Sequence, residues 1–339
     1  MTVRGREQRR RAKMTERHFQ VVALAAAVLL LAACAAPMRV QRYGYWSYVE
    51  TELDPFWWAR LIDVPGARQK AGTGSGASVA IVGTGVLSGH EDLATIVPGE
   101  ATCGKTPADT DDRNGHGTQL AGIVVGLDPG HATRGVAPGA TLIPIKVDCG
   151  VVSAEALTKG VDVAIARKPD IILIAIGGYP SGPPDVSAFM LSRVTANPSI
   201  LFVVASVWDG TGYVFPAWTQ TDNALVVAAM TLDSEDTDRT KVTNKEVPLG
   251  ARRGAIWAPG REVGTADIET EPGFTIHSQF LMYGTSPAAA TAAGCAALFK
   301  SKTGSGGAAI KRALVSAADP KPDLGPAPNG RLNCAKAIP

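Results

Sequence analysis

The sequence has no surplus of either charge, few cysteines, no internal repeat and no low-complexity block. Its 33 Lys+Arg against 31 Asp+Glu leave a formal charge of +2 at pH 7, so no basic stripe argues for nucleic acid. Even that excess is an end effect. Residues 1–33 hold seven basic and two acidic residues, and the remainder holds 26 and 29, a net charge of −3. Without a fixed period the chain is not a stacked-repeat array. Five cysteines are too few for a small disulfide-dense scaffold of this length and limit the covalent framework to two bridges.

What is present begins with an address. A basic segment (Arg4, Arg6, Arg9, Arg10, Arg11, Lys13, Arg17) precedes the apolar run Val21–Ala33. Thirteen apolar residues suit the core of an export signal and are too few to span a bilayer. Counted from Met14, the signal has ordinary length. The run closes as Leu31-Ala32-Ala33-Cys34, which resembles a bacterial lipobox. In that reading Cys34 becomes the mature N-terminus and carries lipid on sulfur and amine, and several acyl chains hold the protein stably at a membrane. Ala35, rather than aspartate, after the cysteine points to the periplasmic face of the outer membrane if the cell is Gram-negative. The plainer alternative is an ordinary cleaved signal with Cys34 incidental.

Three segments follow from this: a signal at 1–33, a ring-rich leader at 34–60, and one large domain at 61–339. The leader carries Tyr43, Tyr45, Trp46, Tyr48, Phe56, Trp57 and Trp58, which are expected to strap onto the domain surface, the alternative being that they rest at a lipid headgroup surface. In the domain, apolar runs at 79–82, 140–147, 170–176, 200–206 and 224–230 read as strands buried on both faces of a parallel sheet. Helical patterns at 117–127, 153–167, 185–195 and 286–300 alternate with them. The fold class is therefore α/β, a three-layer sandwich around a mainly parallel, doubly wound sheet. Ligands in such sheets bind beyond the carboxyl ends of the strands. Cys103, Cys149, Cys295 and Cys334 permit two disulfides in any of three connectivities, or buried free thiols.

The segments 284–294 (GTSPAAATAAG), 114–122 (NGHGTQLAG) and 79–86 (VAIVGTGV) carry the chemistry. They resemble the serine, histidine and aspartate motifs of the subtilisin family. GVAPGATLIPIKV (135–147), PDIILIAIGG (169–178), FPA (215–217), WAPG (257–260) and GRLNCAKAI (330–338) follow in the family's order. The resemblance implies a subtilisin-like fold, a polypeptide as substrate or ligand, no cofactor and a monomer. It makes Ser286 the nucleophile and His116 the general base. Taken as isolated motifs, Gly-Thr-Ser is also a good helix N-cap, and a histidine at a helix start also serves as an ordinary polar residue. On the family's layout the disulfides pair Cys103 with Cys149 and Cys295 with Cys334.

The departures from the family carry as much information. Gly83 stands where the aspartate of the triad belongs. In subtilisin, loss of that acid alone costs ~3 × 10⁴ in turnover. The oxyanion asparagine is missing from VVASVWDG (203–210), where either Trp208 or Asp209 takes its position. Losing that donor in subtilisin costs ~10²–10³. Gln119 replaces the family's second histidine, Ala175 its usual serine, and Ala290 and Thr291 its Pro-His, while Pro287 fits a first helical turn. Asp111 and Asp112 are ordinary loop acids or substitute partners for His116. Asp92 matches a calcium ligand of some subtilisins, but its companions are not recognisable, so no metal is expected. The leader is too short to be the family's folded prodomain. These features imply a pseudoprotease that binds peptides or proteins. The alternative is an active but atypical endopeptidase working through Ser286 and His116.

Overall fold

Strand β1 (Ser78–Gly83) sets the centre of the molecule because its side chains are buried on both sides. Val79 and Ile81 enter one apolar layer, and Ala80 and Val82 enter the other. A strand buried on both faces needs helices above and below, which is what parallel crossovers supply. The computed structural model describes residues 56–93, 95–127, 134–176, 184–206, 221–234, 242–249, 254–271, 274–324 and 329–339. Cys34, Trp208, Asp209, the 215–217 segment and the leader up to residue 55 lie outside the described residues.

In chain order the elements are α1 (Trp57–Leu61), α2 (Val64–Ala71), β1, β2 (Glu100–Ala101), α3 (His116–Val125), β3 (Thr141–Lys146), α4 (Ala154–Ala166) and β4 (Ile171–Ile174). Next come α5 (Pro184–Ala196), β5 (Leu201–Ala205), β6 (Ala224–Ser234), β7 (Val242–Pro248), β8 (Ile256–Pro259), β9 (Val263–Glu271) and β10 (Phe274–Met282). The chain closes with α6 (Thr285–Thr303), α7 (Gly307–Ser316) and α8 (Cys334–Ala337). The main sheet runs β2-β3-β1-β4-β5-β6-β7, with β8 also paired to β6. All pairings are parallel except β6 with β7. Strands β9 and β10 form a separate antiparallel hairpin.

The chain winds from β1 outward to β2 and β3, then returns across β1 to β4. Winding reverses there, so the crevice opens at the carboxyl end of β1, which is Gly83. One face is covered by α3 and α6, whose buried residues share a core with Trp57 and Trp58. The other is covered by α4 and α5, through Leu157, Val161, Met190 and Val194. The expected sandwich is present, as are all five expected strands and all four expected helices.

One expectation is corrected. Trp57 and Trp58 do not strap the surface: they are 4% and 0% exposed, on a short helix inside the main core. Two indoles bury too much apolar area to be left at the rim. Truncating Trp58 to alanine is expected to cost about 3–5 kcal/mol. Both disulfides form as the family layout implied, Cys103–Cys149 with Cα atoms 5.9 Å apart and Cys295–Cys334 at 5.4 Å. Among the described residues no helix is long and apolar enough to cross a membrane, and no group of three metal-ligating side chains occurs.

Candidate active site

Three short segments meet above the carboxyl ends of β1 and β4. The first follows Gly83. Thr84 is buried, and its Oγ1 accepts a hydrogen bond from the Gly117 amide at 2.8 Å. A Cβ at Gly117 would lie 1.9 Å from the Gly85 carbonyl oxygen, so only glycine lets α3 approach the β1 loop this closely. The glycine after His116 is thereby explained by packing alone.

The second segment is the start of α3. Asp112 is 2% exposed, and its carboxylate accepts four hydrogen bonds. Oδ1 takes the amides of Asn114 (2.9 Å) and Gly115 (3.0 Å), and Oδ2 takes the amide and hydroxyl of Thr118, both at 2.8 Å. This is a helix cap reaching across the first turn, where orphan amides and the macrodipole favour an anion. His116 opens the helix, half-buried, with its own amide on Asn114 Oδ1 at 3.3 Å. Its imidazole makes no hydrogen bond among the described residues. Burial pushes its pKa below the ordinary value, and the nearby carboxylates of Asp112 and Asp148 oppose that shift. The ring is therefore neutral at pH 7, the form a general base needs, but no described side chain orients it.

The third segment heads α6. Gly284 adopts φ 112°, a conformation glycine takes without strain, and turns the chain into the helix. Thr285 Oγ1 donates to the Ser206 carbonyl at 2.7 Å, anchoring the first turn to the end of β5. Ser286 Oγ donates to the Ala175 carbonyl at 3.1 Å, just past β4. Pro287 is the third helical residue, where a missing amide costs no helical bond. The Ser286 amide lies in the same orphaned first turn and is available to an oxyanion. β1 and β4 are neighbours in register through Val82 and Ile174, so the loop after Gly83 and the Ala175 carbonyl that holds Ser286 leave the sheet from adjacent strands.

Position 83, where the sequence motif expects an acid, has room for a side chain. Gly83 ends β1, its carbonyl accepting the amides of Val147 (2.8 Å) and Asp148 (3.3 Å). A Cβ there meets only Ile81 Cγ2, at 3.8 Å. Of the proposed substitutes, Asp111 is exposed, and Asp112 is committed to the cap. Gln119 is engaged elsewhere, since its Nε2 donates to Asp267 Oδ1 at 2.9 Å and ties α3 to β9. Asp92 is buried, with its amide on His90 Nδ1 at 3.1 Å.

Sequence reasoning missed Lys146 and Asp148. Both follow from the sheet order, since β3 lies beside β1 and Gly83 pairs with Lys146. The run KVD at the end of a predicted strand was the available signal.

Residues 74–332 match the model described as the subtilase family. Subtilisin Savinase of Lederbergia lenta is 32% identical over 73% of this chain and 84% of its own length. An alkaline protease of Alkalihalobacillus alcalophilus is equally identical, and the match spans 60% of its length. Among solved structures, fervidolysin from Fervidobacterium pennivorans, a keratinolytic enzyme related to subtilisin, superposes with a TM-score of 0.66 at 20% identity. That match covers 83% of this chain and 45% of fervidolysin, and it speaks to fold alone.

Proposed function

The chain belongs to the subtilase family, and from that premise we propose that it is an exported lipoprotein, held to a membrane through lipid on Cys34, whose peptidase domain binds polypeptide in the cleft above Ser286 and cleaves it poorly. The protein acts as a monomer, without cofactor or nucleic acid. The observation that carries this reading is the unfilled position at Gly83. A side chain would fit there and none is present, and the His116 ring has gained no other hydrogen bond among the described residues.

In a complete triad the acid fixes the tautomer and orientation of the imidazole and stabilises the imidazolium formed when serine gives up its proton. Here Ser286 Oγ would attack the peptide carbonyl and its amide would hold the oxyanion. His116 would receive the proton, but without a carboxylate on its ring. Binding relies on the strand edge and cleft, which the missing carboxylate leaves in place. The named relatives are proteases, which supports a polypeptide as the ligand.

A second reading has one specific observation behind it. Asp112 and Asp148 both favour the cationic form of His116, so a slow endopeptidase could run on diffuse electrostatics. Fluorescent casein separates the two. The full-length protein in detergent should bind casein as tightly as its Ser286→Ala variant and digest it at no more than ~10⁻⁴ of an ordinary subtilisin's turnover. Digestion above that level, abolished by Ser286→Ala, would establish the second reading instead.

A further inference from the structure

Beside the open position lies a buried charge without a counter-ion among the described residues. Lys146 is 5% exposed, and its ammonium donates to the Asp111 carbonyl but makes no ion pair there. Strand register sets it directly against Gly83 on the same face of the sheet. A buried ammonium held by one neutral acceptor is costly, and a carboxylate beside it would offset much of that cost. Lys146 lines a cavity of about 480 Å³ together with Thr84, Lys105, Asp109, Arg113 and Asp148, among others. Asp109 is already paired with Arg113 at 3.3 Å, and Asp148 Oδ1 is held by the Gly150 amide at 2.8 Å. With Arg113 and Asp109 paired to each other, Lys105 and Lys146 face the single remaining carboxylate of Asp148, a surplus of one positive charge. Thr84, the residue after Gly83, and Asn114, two residues before His116, are part of the cavity wall.

We propose that this cavity is a carboxylate subsite, which takes an acidic side chain of the bound polypeptide against Lys146, the register partner of Gly83. The inference rests on the polypeptide-binding reading above and narrows it to acidic ligands.

The test uses fluorescently labelled octapeptides, acetylated and amidated, with one Glu scanned through an alanine-rich sequence and Gln as control. Anisotropy should find one register where Glu binds about tenfold tighter than Gln. Lys146→Met should erase that preference. Gly83→Asp, which supplies an internal carboxylate and keeps the lysine, should erase it too, so the result stands even if Lys146→Met fails to fold. Uncapped Gln peptides with a free C-terminus should gain nothing. Peptides that bind with Glu and Gln equal in every register, or that gain only from a free C-terminus, overturn the subsite and leave the polypeptide-binding reading intact. Failure of every peptide to bind overturns both.

Discussion

Placing an acid at position 83 is the perturbation that tests the proposed function most fully. In Gly83→Asp the new Cβ meets only Ile81 Cγ2 at 3.8 Å, and Gly83 is not among the glycines with positive φ, so neither clash nor backbone strain opposes it. A buried carboxylate costs several kcal/mol unless paired. Lys146, opposite in register and without an ion pair among the described residues, supplies the partner. Stability should therefore stay within about 1 kcal/mol of the parent. In subtilisin the acid is worth ~3 × 10⁴ in turnover, although triad effects are far from additive. On that scale, and with Trp208 left in place, Gly83→Asp should raise Ser286-dependent hydrolysis by about 10²–10⁴. Adding Trp208→Asn should contribute up to about 10²–10³ more. The assay is release of p-nitroaniline from a capped peptide anilide, with Ser286→Ala as background. A Gly83→Asp protein that folds normally yet hydrolyses within twofold of the parent would show that residue 83 is not the acid position.

Other expectations follow from the same geometry. Asp112→Asn keeps two of the four accepted hydrogen bonds and turns a donor toward the remaining amide, so it should cost about 2–3 kcal/mol in urea unfolding. Because burial lowers the His116 pKa, whatever Ser286 reactivity exists should persist down through pH 6.5 and fall only below it; a rate-versus-pH profile breaking above 6.5 would contradict the assignment. For Asp319, burial raises the pKa, but hydrogen bonds from Lys336, Asn333 and Arg331, with the Arg331 charge, outweigh it and hold the group at about 2. Its contribution is present above the ordinary 3.8 and lost as pH falls through about 2, so Asp319→Asn should flatten that part of a stability-versus-pH curve.

The parallel sheet was legible because strands buried on both faces write continuous apolar runs, as in SVAIVG and IILI. Ser286 and His116 were legible because their neighbours are fixed by backbone packing: Gly117 by its approach to Gly85, and Gly284 by its positive φ. The β9–β10 hairpin escaped notice because VGTADIETE and FTIHSQFLM lack continuous apolar runs. Trp57 and Trp58 were misplaced because a ring-rich leader reads alike whether it coats a surface or fills a core. Lys146 and Asp148, although KVD closes a predicted strand, were overlooked for a different reason. Their meaning depends on β3 lying next to β1, a neighbour relation that no local pattern encodes. The fate of Asp112 was equally hidden, since its donors lie up to six residues away along a turn that the sequence does not specify.

The central proposal is that Ser286 works, if at all, with a His116 ring that no described side chain orients. The most direct measurement of that arrangement is the rate at which a fluorophosphonate labels Ser286, followed by intact mass on the full-length protein. An unoriented base predicts labelling about 10⁴-fold slower than that of an ordinary subtilisin, close to the Ser286→Ala background. Labelling at an ordinary subtilisin's rate, lost in Ser286→Ala, would contradict it.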